Sequence, residues 1–227
     1  MFNIAVLINT IAVIIGGFFG TFIGNKLTEN IRRILFQSVG LTTIFIGINM
    51  GLQANDLIIV LISLAIGGVI GELLKIESRI GKIANKIEKS EGETRFVKGF
   101  ITATVLFVVG PMTILGSLNA GIGNDNSVLL LKSMLDGISS IILSSVYGIG
   151  VIFSALSIWI VQGAFVVGSR QLQFLSQDIY LNDFTAVGGA MIVAISLRLM
   201  DIKDIKVGNF LPALVVVVIA NYIKMMF

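Results

Sequence analysis

Apolar residues run along this chain in blocks of about 20, and the charges fall mostly between the blocks. A helix needs about 20 predominantly apolar residues to cross the hydrocarbon core of a bilayer. Eight such blocks can be drawn: 4–25, 35–52, 57–74, 99–118, 128–147, 149–168, 185–200 and 207–225. The pattern predicts an all-α fold, a polytopic transmembrane helical bundle forming a single domain over 1–227. The fifth and sixth blocks are one apolar run, twice the length of a span. The sequence Tyr147-Gly148-Ile149-Gly150 divides it, because paired glycines allow a tight turn. The seventh block is short and reads as tilted or partly re-entrant.

Charge sets the orientation. Lys75, Arg79, Lys82, Lys86, Lys89, Arg95 and Lys98 gather after the third block. Lys26, Arg32 and Arg33 follow the first block, and Arg198, Lys203 and Lys206 the seventh. By the positive-inside rule these loops face the cytoplasm. The loops 53–56 and 120–127 carry no basic residue and fall outside, with Arg170 the one exception on that side. Both termini are then outside. The start, MFNIAVLIN, has no basic residue and no clear cleavage site, so it reads as a retained first span. Ile76, Ile80, Ile83 and Ile87 recur at helical spacing, with Arg79, Lys82, Lys86 and Lys89 mostly on other faces. This predicts an amphipathic helix at the headgroup plane, either a sensing gate or a simple anchored connector.

Composition narrows the chemistry. Apolar residues make up 56% of the chain and charged residues 13%, with a mean hydropathy of +0.99. A soluble domain carries roughly 25% charged residues. The chain has no Cys and no His, which removes disulfides, thiol nucleophiles, histidine bases and zinc sites built on either. The net charge of +3 sits beside apolar spans, so no nucleic-acid partner is expected. No nucleotide-binding loop or catalytic constellation stands out, and neither an enzyme nor a cofactor is expected.

Ser38-Val39-Gly40 opens the second block and Ala186-Val187-Gly188 the seventh, each followed by a loop with Asp (Asp56, Asp204) and an apolar block. Glu72 and Asn221 lie at similar depth in those last blocks. With blocks one to three running opposite to six to eight, this suggests an inverted repeat: 4–75 and 149–226, with 99–147 as an inserted pair. Gly16, Gly20 and Gly24 line one face of the first block, Gly67, Gly68 and Gly71 the third, and Gly47 with Gly51 the second. Such faces let helices approach closely, either in a homodimer or within one subunit.

The stretch 110–150 holds the candidate chemistry. Lys132 and Asp136 are four apart and share one helix face, with Asp136 about 14 Å along it, near the midplane. A lone charge there costs about 3 kcal/mol or more. The pair reads as a cation or proton site, or as a buried structural ion pair. Gly110-Pro111 breaks the fourth block; Pro111 removes a backbone donor and frees the carbonyl four residues earlier. Thr113, Ser117 and Asn119 follow. Ser139, Ser140, Ser144 and Ser145 form a polar seam, which Ser154, Ser157 and Gln162 could face from the sixth block. These line a path, or make hydrogen bonds between helices worth about 0.6 kcal/mol each. Asn9, Thr42, Thr43, Asn49 and Asn221 carry weaker forms of the same ambiguity.

Several blocks carry a family resemblance: GGFFG at 16–20, IGGVIGELLKIE at 66–77, GPMTILGSLNAG at 110–121, LKSMLDGISS at 131–140, GIGVIFSA at 148–155 and VGNFLPAL at 207–214. Over nearly its whole length the chain resembles the uncharacterised prokaryotic multi-pass membrane proteins of the YdfK/YqgA type, a domain of unknown function. The resemblance implies a bacterial-type cytoplasmic membrane protein and no reaction. Two functions then compete. One is a small secondary transporter or ion-conducting protein that binds an ion or solute at Asp136 and Lys132. The other is a non-transporting assembly or accessory protein of the bilayer.

Overall fold

A computed structural model describes residues 3–87, 95–123, 125–200 and 202–226. Lys89 lies outside the described residues, as do the side chains of Arg32, Ile83, Lys86 and Ile87. The described residues form helices α1 (Ile4–Gly24), α2 (Glu29–Gly51), α3 (Leu57–Leu73), α4 (Ile76–Ile87), α5 (Arg95–Val108), α6 (Pro111–Ile122), α7 (Ser127–Tyr147), α8 (Gly150–Val167), α9 (Asp178–Leu199) and α10 (Ala213–Lys224). Single 3-10 turns sit at Gln173–Ser176 and Val207–Phe210.

Among the described residues, six segments are long and apolar enough to cross a membrane, and counting each bent pair as one span brings the number to as many as eight. The bent pairs are α3 with the start of α4, at 45°, and α5 with α6, at 58°. The long run does divide at Gly148, whose φ of 77° suits glycine. The seventh span is not short: α9 begins at Asp178 and not near residue 185. Asp178 and Asp183 made its first turns look like loop, yet they are helical.

Contacts divide the chain into two units. The first comprises residues up to Phe36 together with 92–176. Its centre is the pair α1 and α7. A Cβ on Gly16, Gly20 or Gly24 would overlap the backbone at Gly137, Ile141 or Ser145 respectively. The two series rise together, so these helices run parallel with their backbones in contact. That is how membrane helices associate where lipid gives no hydrophobic drive. Helix α8 packs antiparallel to α1, with Ile152 against Gly17 and Gln162 at Asn9. Helices α5 and α6 run along α8, from Phe96 at Gly150 to Gly121 at Val166.

The second unit comprises 37–91 and 177–227. Helix α3 lies antiparallel to α10, with Gly67 against Ala213 and Asp56 at Lys224. Helix α2 lies antiparallel to α9, with Gly47 against Gly189 and Val193. After α3 the chain turns at Lys75, at a φ of 51°, into α4. Ile76 and Ile80 are half-buried while Arg79 and Lys82 are exposed, as the amphipathic pattern requires. The turn is held by Glu77. Its Oε1 lies 2.7 Å from Arg198, and its Oε2 accepts from the Gly208 N–H at 2.8 Å. Its own N–H donates to Asn209 Oδ1, while Asn209 Nδ2 donates to Glu72 Oε2. Arg198, counted in the sequence among the loop cations, is thus buried in the last turn of α9. It pairs with Glu77 and with Asp204, the latter at 2.8 Å.

Candidate functional site

Four buried polar side chains meet inside the first unit. Asp136 stands in the middle of α7, facing α1. Lys132, one turn earlier on the same helix, donates from Nζ to Asp136 Oδ1 at 3.0 Å. Asn9 Nδ2, from α1, donates to Asp136 Oδ2 at 3.0 Å and to Gln162 Oε1 of α8 at 3.3 Å. Asn9 and Gln162 have no solvent exposure, and Asp136 and Lys132 very little.

The arrangement is not fully satisfied. Asn9 Oδ1 and Gln162 Nε2 are buried with no protein partner. A free acceptor beside a free donor matches a bound water or a polar guest, since unpaired buried polar atoms are uncommon in native proteins. Coulomb attraction between Lys132 and Asp136 is strengthened by removal from water, but desolvation opposes it. The pair is formed inside one helix and links no two elements.

The other polar residues flagged in the sequence divide. Thr113 does not face the cluster: its hydroxyl donates to the Phe107 carbonyl at 3.0 Å. Phe107 is four residues before Pro111, so Thr113 satisfies the carbonyl that the proline leaves without an N–H. Helix α6 begins at Pro111, after Gly110 at a φ of 147°. Ser140 Oγ donates to Gly137 O, Ser145 to Ile142 O and Ser154 to Val151 O, each within its own helix. Ser157 accepts from Thr104 at 3.1 Å. Asn119 is exposed on α6 and Ser139 is half-buried. Ser117 and Ser144 keep buried hydroxyls without protein partners. Asn9 joins Asp136 directly, and Gln162 joins it through Asn9.

Asn9 ranked low in the sequence, yet it is the hub. Its signal was its spacing: Asn9 lies seven residues before Gly16, on the face where Gly16, Gly20 and Gly24 meet α7. Asp183 lies just before the seventh apolar block and carries no comparable signal in the sequence. Two apolar concavities, of about 350 and 440 Å³, lie along α1 and α8 and share Leu7 and Trp159. Neither is lined by Asp136, Asn9 or Gln162.

A family profile described as "Protein of unknown function (DUF554)" matches residues 4–222. The chain belongs to the DUF554 family. It is 33% identical over 212 residues to the "Uncharacterized membrane protein YdfK" of Bacillus subtilis (strain 168), covering 92% of this chain and 91% of that one. It is 29% identical over 214 residues to the "Uncharacterized protein YqgA" of Escherichia coli (strain K12), covering 91% of each. No solved structure matches it. This DUF554 member is a membrane protein, with apolar helices of spanning length and a relative named for the membrane.

Proposed function

We propose that this protein is a small secondary transporter or ion-conducting protein of the cytoplasmic membrane, with both termini outside, and that Asp136 is its cation or proton site. The observation that carries this reading is the incompletely satisfied cluster around Asp136: a buried carboxylate hydrogen-bonded to Asn9, whose own carbonyl oxygen is left unpaired. Ionisable groups at membrane depth are costly and mark ion or substrate paths. Lys132 holds the position a cation would take. Its ammonium lies one turn nearer the helix end, where a long side chain can withdraw toward the interface. A guest cation then replaces it at Asp136 without leaving the acid unpaired. The antiparallel packing of α1 with α8, α2 with α9 and α3 with α10 supports an inverted repeat, a common transporter design. The Gly16–Gly20–Gly24 face is in contact with α7, so a second copy would meet another surface.

The second reading, a non-transporting assembly protein, is favoured by one observation: Asp136 already has a cation partner at 3.0 Å. Flux in reconstituted vesicles separates the two. Wild-type protein is expected to carry a cation or proton down an imposed gradient, and Asp136→Asn to abolish that flux while still folding. Equal flux with Asp136→Asn would reject the site.

A further inference from the structure

Asp183 presents the same problem in the second unit, with a different answer. It lies in the second turn of α9 with no exposure to solvent. Its Oδ1 accepts the backbone N–H groups of Asn55 at 2.7 Å and Asp56 at 3.0 Å. Its Oδ2 is buried and has no partner. Asn221, on α10, is equally buried. Its Nδ2 donates to the Ile179 carbonyl at 3.3 Å, which fixes the amide's orientation and leaves Oδ1 as a buried acceptor without a donor. In the helix, that same Ile179 carbonyl takes the N–H of Asp183. The amide of Asn221 is thereby held within one helical turn of the Asp183 carboxylate.

The charged groups around it do not compensate. Lys224, one turn beyond Asn221 on α10, donates to Asp56 Oδ2 at 2.6 Å and is committed there. Asp178, at the start of α9, and Asp56, at the start of α3, are both acidic. Among the described residues, no Lys or Arg pairs with Asp183. Two buried acceptors, one of them a carboxylate oxygen, stand at one level of α9 with no donor and no countercharge. Water could donate to both but would not neutralise the acid. A hard cation, which takes oxygen ligands, does both.

We propose that Asp183 Oδ2 and Asn221 Oδ1 hold a small monovalent cation of the sodium type, at a second site separate from Asp136. Water completes its shell.

The test uses the purified full-length chain in detergent, with sodium chloride compared with potassium and choline chlorides at equal ionic strength. Sodium is expected to raise the melting temperature by about 2–4 °C relative to choline. Radioactive sodium should bind in equilibrium dialysis. Asp183→Asn keeps the acceptor for Asn55 and Asp56 and brings its own amide donor, so it should fold, lose sodium binding and melt independently of sodium. Asn221→Ala should weaken sodium binding at least 10-fold. Asp136→Asn should leave the sodium response intact, which separates this site from the transport reading. The proposal is overturned if wild type shows no sodium-specific shift or binding, or responds to pH alone. It is equally overturned if the response survives in Asp183→Asn or disappears in Asp136→Asn.

Discussion

Each unit buries an acid–base pair, and the two pairs do different work. Glu77 and Arg198 come from α4 and α9, 2.7 Å apart. Around them the Gly208 N–H donates to Glu77 Oε2, Asp204 pairs with Arg198, and Asn209 accepts the backbone N–H of Glu77. Lys132 and Asp136 come from one helix, and unpaired atoms of Asn9 and Gln162 lie beside them. A pair that joins separate elements specifies how the chain folds. A pair within one turn specifies nothing tertiary, because helix formation alone brings its members together. What it accomplishes is to pair a buried acid with a cation inside one turn, and this distinction directs the proposed reading to Asp136.

The largest effect should come from breaking the joining pair. Arg198→Ala is expected to destabilise the protein by about 3–5 kcal/mol, because Glu77 is left buried without its cation. Thermal or denaturant unfolding in detergent measures this; a loss below about 1 kcal/mol would show that the pair does not hold the fold together. Lys132→Ala should cost less, about 1–3 kcal/mol, since Asn9 still donates to Asp136 and a guest can replace the ammonium. Part of that loss should be recovered on adding a small cation, and no such recovery should occur with Arg198→Ala. If neither variant, or both, responds to cations, the contrast collapses.

The smallest effect belongs to the exposed pair of Lys224 with Asp56. The Lys224 ammonium, with the N–H groups of Ile58 and Ile59, holds the Asp56 carboxyl below its ordinary value of 3.8. A carboxyl depressed in the folded state contributes stability above that ordinary value, and the contribution is lost as the pH falls through the lower folded one. Wild type should therefore lose stability below pH 3.8 more steeply than Lys224→Met. The difference should shrink with added salt, which screens an exposed pair. Melting curves between pH 5 and 2 would show it, and parallel curves for the two proteins would refute it.

Much of the fold was legible because span length and turn glycines are local signals. The division at Gly148 and the break at Pro111 stand where the sequence put them. Partnership was less legible. Thr113 follows a proline, but only the three-dimensional turn shows its hydroxyl on the Phe107 carbonyl. The intrahelical serines follow the same logic: a hydroxyl can bond its own helix, and composition does not reveal which do. Arg198 looked like a loop cation because the acid that holds it, Glu77, is over a hundred residues away. Asp183 was hidden by an apolarity criterion that started the seventh span after it. Asp136 was found because its partner lies four residues away, within reach of a one-dimensional reading.

The contact between α1 and α7 constrains how Asp136 can be reached. With backbone against backbone at Gly16, Gly20 and Gly24, these two helices have no side-chain layer to slide on and must travel as a single rod. Asn9 and Asp136 ride on that rod together, whereas Gln162 belongs to α8. On the proposed transport reading, a path to the acid then opens along the seam with α8, and a cross-link closing that seam should stop flux.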